Sequence, residues 1–366
     1  MAHPAKIAAF RADGGGQMGA GHLMRCLTLA NALKARGYDC HFLTCAAPAA
    51  LREQMRAAGH QVHMVSPRAE NDPRKEPALQ HADWLGHSQR ADSTACAEVL
   101  GNLRPDWLIL DHYALDCRWQ RDLAPMVTRQ LSIDDMADRA FLSDIHVDPN
   151  PLNAPQIESR DLLPGDAQAL LGCDYALLRP EFTRAEAEGT PPTAPYDILV
   201  MMGGVDHADL SSQVVEWLIS ASDLRAITRR ITVVLGAAAR ISDRLYGLEG
   251  TLTGTLRILQ NPPDIADLMS AADLCVGAAG GAAWERCATG LPSLTLVTAE
   301  NQRAIARYLD ENGAALSLDS LAREPFLAAF DALCQPGRLL EIRTHAMRLV
   351  DGRGTARVID AMEGLS

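Results

Sequence analysis

Glycine and histidine meet in one stretch whose residue types suit catalysis. From Arg11 to Arg25 the chain reads Arg-Ala-Asp-Gly-Gly-Gly-Gln-Met-Gly-Ala-Gly-His-Leu-Met-Arg, with five glycines in the eight residues 14–21. Glycines let backbone approach a ligand closely. The loop opens into a helical pattern, whose free N–H groups favour an anion by about 0.3–1 kcal/mol per well-placed charge. His22 stands where that helix begins, and histidine is the usual general base near neutral pH. The same residues also fit a plain glycine turn with a histidine capping the helix. Asp13 is a candidate to orient His22 or a water. Arg25, three residues on from His22, lies on a nearby helix face, to neutralise a phosphate or pair with a carboxylate.

Five further stretches put polar or very small residues after apolar runs. Gly277-Ala-Ala-Gly280-Gly281-Ala-Ala-Trp-Glu285-Arg286 suits a diphosphate at Gly280 and Gly281, with Glu285 accepting from ribose hydroxyls; close helix–sheet packing through small residues is the structural alternative. Gly203 and Gly204, in Met201-Met-Gly-Gly-Val-Asp206, offer backbone donors to the same phosphate group. Asp111 and Tyr113 emerge together at the end of the run Trp107-Leu-Ile-Leu110. Asp134 and Asp135 end another run, where helix capping is the leading reading. Asn301 and Gln302 carry amides able to read a sugar or base edge.

Several chemistries are excluded. A G-x-G-x-x-G spacing exists at Gly14, Gly16 and Gly19, but the next strand ends in Leu43-Thr44-Cys45 with no acidic residue, which argues against nicotinamide or flavin. No H-E-x-x-H array, G-x-S-x-G elbow or G-x-x-x-x-G-K-[ST] loop occurs. No metal site and no cofactor are expected.

The elements that must carry these residues alternate. Strand-like runs at 6–11, 41–43, 62–65, 107–111, 130–133 and 145–147 are separated by helical patterns, including one from about Leu23 to Arg36 that stops at Gly37. Residues 66–92 are polar with three prolines and read as an irregular excursion. Pro and Glu density marks a linker at 179–196. A second series follows at 197–202, 231–235, 256–259, 274–277 and 293–297. The expected architecture is α/β: domains at 1–178 and 197–345, both doubly wound and facing each other across a cleft, with a final helix at 346–366 crossing back to the first. In such sheets ligands bind beyond the carboxyl ends of the strands.

Length and charge agree. A chain of 366 residues fits two domains, and the formal charge of −12 argues against a nucleic-acid partner. No apolar run reaches the ~20 residues of a membrane span, so no membrane insertion is expected. Nine scattered cysteines without a C-x-x-C pair predict neither a disulfide framework nor a zinc site, and fit a reducing cytoplasm.

Taken in order over about 300 residues, these motifs resemble the UDP-2,4-diacetamido-2,4,6-trideoxy-β-L-altropyranose hydrolases of pseudaminic acid biosynthesis, a nonulosonic acid pathway that feeds flagellin glycosylation. The matching stretches are Arg11-Ala-Asp13, Met18-Gly19-x-Gly21-His22-x-x-Arg25, Asp111-His112-Tyr113, Leu177-Leu-Arg-Pro-Glu-Phe182, Met202 to Asp206, Gly277 to Arg286 and Ala299-Glu-Asn-Gln302. The resemblance implies a GT-B fold and metal-independent hydrolysis of a UDP-sugar with inversion at the anomeric carbon. It places the catalytic histidine on His22, aided by Asp13 and Tyr113. Nucleotide contacts fall on Gly203, Gly204, Gly280, Gly281 and Glu285, and substrate contacts on Gly21, Arg25, Asp111, Asn301 and Gln302. Gly14-Gly15-Gly16 departs from the small polar residues expected there, which bears on the choice of sugar. A monomer or weak oligomer is expected. The alternatives are a GT-B glycosyltransferase using a UDP-amino sugar, a hydrolysing epimerase, or a non-catalytic nucleotide-sugar-binding protein of surface-glycan assembly.

Overall fold

Short runs of valine, leucine, isoleucine and alanine, buried on both faces, build two wholly parallel sheets. The computed structural model describes residues 5–15, 18–68, 79–183, 192–204, 206, 208–236 and 239–365, with Ser159 and Asn301 described by backbone alone. The chain divides into two units, Met1–Leu177 with Gly354–Ser366, and Leu178–Arg353.

The first unit contains β1 (Ile7–Ala12), α1 (Gly21–Ala35), β2 (Asp39–Thr44), α2 (Ala49–Ala57), β3 (Gln61–Met64), α3 (Gln89–Leu103), β4 (Trp107–Asp111), α4 (Cys117–Leu123), β5 (Arg129–Ile133), β6 (Ile145–Asp148), α5 (Ala154–Ser159) and β7 (Gln168–Leu171). Its strand order is β3-β2-β1-β4-β5-β6-β7, and neighbours pair in parallel. The order reverses between β1 and β4, so the loops after these two strands open side by side. β1 pairs Arg11 with Leu110 and Ala12 with Asp111 of β4, which fixes how Asp13 and His112 emerge next to one another.

The second unit repeats the plan with β8 (Tyr196–Met201), α6 (Leu210–Ser220), α7 (Ser222–Ala226), β9 (Thr228–Leu235), α8 (Asp243–Thr251), β10 (Leu256–Gln260), α9 (Ile265–Ala271), β11 (Leu274–Ala278), α10 (Ala282–Ala288), β12 (Ser293–Leu296), α11 (Arg303–Glu311), β13 (Leu316–Leu318), α12 (Arg323–Leu333) and α13 (Arg338–Leu349). Strand order is β10-β9-β8-β11-β12-β13, with its reversal between β8 and β11. The glycine pairs at 203–204 and 280–281 follow those two strands.

Three boundaries differ from expectation. β7 and β13 are edge strands of four and three residues, largely half-buried or exposed, so no apolar run announces them. The stretch 179–183 belongs to the second unit: Phe182 is fully buried and the Thr183 hydroxyl donates to the Gly352 carbonyl. The part of the expected linker at 184–191 lies outside the described residues, as do 69–78 of the expected excursion. The returning helix, α14 (Gly354–Gly364), begins eight residues later than expected, because 346–349 complete α13 in the second unit. Val358, Ile359 and Met362 of α14 join the core formed by α1 and the first sheet. Among the described residues no helix is long and apolar enough to cross a membrane.

Gly354 admits α14 to its seat. A Cβ there would collide with the Ala176 carbonyl oxygen and sit 2.7 Å from the Ala176 nitrogen. Gly354→Ala is expected to destabilise the first unit by about 1–3 kcal/mol through overpacking, read as a lower denaturation midpoint. An unchanged midpoint would show that α14 seats without this close approach.

Candidate functional site

A carboxylate at the end of β4 organises the first unit's candidate site. Asp111 is fully buried. Its Oδ1 accepts from His22 Nδ1 at 2.6 Å and from Arg25 Nη2 at 2.6 Å, and its Oδ2 accepts from Arg25 Nε at 2.6 Å. Burial alone would raise this carboxyl; the Arg25 guanidinium and His22 override that and hold it well below the usual carboxylate range. A third bond of Arg25 runs from Nη1 to Asp135 Oδ2 at 3.0 Å. The Tyr113 phenol donates to the other Asp135 oxygen. Burial, then the Asp135 charge, push that phenol well above its ordinary value, so it remains a donor.

α1 makes this possible by its spacing. His22 and Arg25 stand three residues apart, so one helix face presents both to the same carboxylate. Ala20 at the start of α1 makes no side-chain cap, and the His22 ring turns to Asp111 instead of capping the helix. Because Nδ1 donates to Asp111, a neutral His22 ring carries its lone pair on Nε2. This is the orienting arrangement that an acid–base histidine needs. The Tyr113 ring stands edge-on to His22 with centroids 4.5 Å apart, and Trp84 and His81 extend the ring cluster at 5.7 and 5.5 Å from Tyr113.

A separate buried network lies beside it. Arg11, fully buried in β1, donates to Asp92 through Nε at 3.0 Å and Nη2 at 2.6 Å, and pairs with Asp13 at 2.8 Å. Asp13 Oδ1 accepts from Thr44 Oγ1 at 2.8 Å and from the Cys45 and Ala46 amides at 2.7 and 3.1 Å. Burial opposes ionisation of Asp13, but Arg11 and His112 together hold its carboxyl far below the usual range. The expectation that Asp13 orients His22 is therefore corrected: its contacts go to Arg11 of β1, the loop after β2 and His112 after β4, and the carboxylate on the His22 ring is Asp111. Asp111, expected among the substrate contacts, is sealed from solvent and bonded to His22 and Arg25.

The remaining expected residues fall as follows. Gly21 is the exposed first residue of α1. Gly203 has φ +93°, a conformation that favours glycine, and a Cβ on Gly236 would lie 2.7 Å from the Gly204 Cα, so that loop is packed backbone to backbone. The first amides of α6 are already met by Asp206, which accepts from Leu210 and Ser211 at 2.9 and 3.0 Å. Gly280 and Gly281 form the turn into α10, and among the described residues their amides donate to no other group. Gln302 Oε1 accepts from the Thr298 amide and hydroxyl at 2.9 and 3.0 Å, and its Nε2 lies 3.8 Å from a Cβ built on Gly280. The Asn301 side chain lies outside the described residues, as do Gly16, Gln17 and Val205. Burial pushes the half-buried Glu285 carboxyl up to about 7, with Arg179 and Arg286 pulling it down.

Asp92 and Trp84 carry no signal of their own in the sequence, and nothing there joins Arg11 or Asp135 to their partners. Asp92 lies 81 residues from Arg11, and only the fold joins them. An arginine inside an otherwise apolar strand was the available clue, since a buried guanidinium needs carboxylates.

No family model matches the chain. Over 213 residues it is 27% identical to the spore coat polysaccharide biosynthesis protein SpsG of Bacillus subtilis, covering 57% of this chain and 62% of that protein, so it spans less than two thirds of its relative's length. Its structure superposes on MurG of Acinetobacter baumannii with a TM-score of 0.67 at 15% identity, covering 98% and 99% of the two chains. UGT2 of Phytolacca americana, solved with UDP-2fluoro-glucose and pterostilbene, gives a TM-score of 0.67 at 12% identity, covering 100% of each. The fold is GT-B. At these identities the structural likeness fixes architecture and nothing finer.

Two outcomes test the site. Asp111→Asn removes the buried carboxylate partner of Arg25 and leaves that guanidinium only Asp135, and is expected to cost about 3–5 kcal/mol in chemical denaturation; a cost near zero would contradict the buried ion pair. Glu285 ionises near 4.5 when unfolded and near 7 when folded, so its burial removes stability as pH rises from 4.5 through 7. Glu285→Gln is expected to be more stable than wild type above pH 7, with the difference shrinking towards pH 4.5. A difference independent of pH would contradict the raised carboxyl.

Proposed function

We propose that the chain hydrolyses a UDP-linked amino sugar to UDP and free sugar during surface-glycan synthesis, with UDP-2,4-diacetamido-2,4,6-trideoxy-β-L-altropyranose as substrate. The observation that carries this reading is the His22–Asp111 pair, which presents Nε2 as a base at the head of α1. In the reaction, Nε2 takes a proton from water as the water oxygen bonds to the anomeric carbon. The carbon–oxygen bond to the β-phosphate breaks on the opposite face, and its electron pair leaves with UDP. The anomeric centre inverts, and Asp111 balances the imidazolium. In this proposal the second unit holds the nucleotide, through Gly280, Gly281 and the Glu285 carboxyl on ribose. Supporting it are the motif set of the UDP-sugar hydrolases, the GT-B fold and the polysaccharide biosynthesis named for the Bacillus relative.

A glycosyltransferase is the second reading, favoured by the likeness to UGT2, whose solved structure holds UDP-2fluoro-glucose. Incubation with UDP-amino sugars and no acceptor separates the two. Hydrolysis predicts free UDP and free sugar; release only when an acceptor is added would establish transfer. His22→Asn is expected to lower turnover by about 10²–10⁴ while UDP still binds. Wild-type turnover in that variant would remove the general base. Turnover is expected to survive dialysis against a chelator, and its loss would overturn metal-independent hydrolysis.

A further inference from the structure

Arg286 is among the largest fully buried side chains of the protein, 1% exposed. Its Nη2 donates to the Ala278 carbonyl at 2.9 Å, while Nε and Nη1 have no hydrogen-bond partner. Among the described residues no carboxylate lies within ion-pair distance of it. The other deeply buried arginines differ: Arg11 pairs with Asp13 and Asp92, and Arg139 with Asp134 and Asp138. A guanidinium does not give up its proton inside a protein. A buried, unpaired charge is strongly unfavourable, so the arrangement is incomplete as it stands.

The position of Arg286 says what completes it. A Cβ on Gly277 would lie 2.9 Å from Arg286 Nη1 and 3.2 Å from Cζ, so the guanidinium lies across the end of β11 and requires glycine there. It thus underlies Ala278–Gly281, where Gly280 and Gly281 keep their amides unbonded to other described groups. We infer that Arg286 is the buried counter-charge for the diphosphate of the nucleotide, a positioning residue acting through the Gly277–Gly281 loop. This rests on the reading of that loop as the diphosphate subsite. It gives an acidic protein a fixed positive charge where its ligand is most negative. Because the guanidinium is shielded from solvent, its effect is felt at low dielectric and is poorly screened by salt.

Titration of wild type, Arg286→Met, Arg286→Lys and Gly277→Ala with UDP and with uridine tests the inference. Arg286→Met is expected to weaken UDP at least tenfold and leave uridine unchanged, with Arg286→Lys recovering part of the loss. Gly277→Ala, which displaces the guanidinium, is expected to weaken UDP selectively as well. The weakening is expected to persist at raised ionic strength. UDP affinity unchanged in Arg286→Met, or uridine lost by the same factor, overturns the inference and leaves a packing role. If Arg286→Met does not fold, the UDP-to-uridine ratio in the Lys and Ala variants decides on the same terms. Wild type binding neither ligand overturns the nucleotide reading of the loop itself.

Discussion

The Asp111 carboxylate is taken out of water at the end of β4 and held there by hydrogen bonds from His22, Arg25 and Cys26 of α1. An ionised carboxylate so placed is tolerated only while its partners stay, which ties the register of β4, the seat of α1 and the His22 ring into one unit. The glycine loop before α1 belongs to the same constraint. It closes on itself through the Gly15 amide and Gly19 carbonyl at 2.6 Å, with both glycines at positive φ, and so delivers His22 to the carboxylate. Arg25 then extends the grip to Asp135 and, through it, to Tyr113.

The second unit uses the same architecture to different effect. Around the reversal between β8 and β11 it places small residues, close backbone contacts and a single buried guanidinium instead of an ion-pair network. The first unit pairs its buried Arg11 and Arg139 with carboxylates, whereas the buried Arg286 of the second has no carboxylate at ion-pair distance among the described residues. On the proposed reading that charge serves an anionic ligand. A formal charge of −12 does not oppose this, because a local field outweighs a diffuse one at short range.

Much of this was readable from the chain. Strands such as Trp107–Asp111 and Leu274–Ala278 announce themselves as unbroken apolar runs, and Gly37, with φ +89°, stops α1 where helix-breaking rules place it. His22, Arg25 and Asp111 were all singled out, but their division of labour was not. Local spacing shows that His22 and Arg25 share a helix face; it does not show that Asp111, 89 residues from His22, is the acceptor for both. Asp13 drew attention by proximity in sequence and serves a loop instead. Neither Asp134 nor Asp135 caps a helix, since none begins between β5 and β6: Asp135 bonds Arg25 and Tyr113, while Asp134 closes a turn through the Met136 and Ala137 amides and pairs with Arg139. The edge strands β7 and β13 are too short, at four and three residues, to stand out as apolar runs, and the partners that Arg286 lacks are visible only in the fold.

The central claim is that Asp111 fixes the His22 ring with its proton on Nδ1 and its lone pair on Nε2. Nitrogen-15 NMR of the imidazole, assigned by comparison with His22→Asn, reads this directly. A protonated Nδ1 and an unprotonated Nε2 are expected for the neutral ring, with loss of that preference in Asp111→Asn. A neutral His22 carrying its proton on Nε2, or a tautomer unaffected by Asp111→Asn, would contradict it.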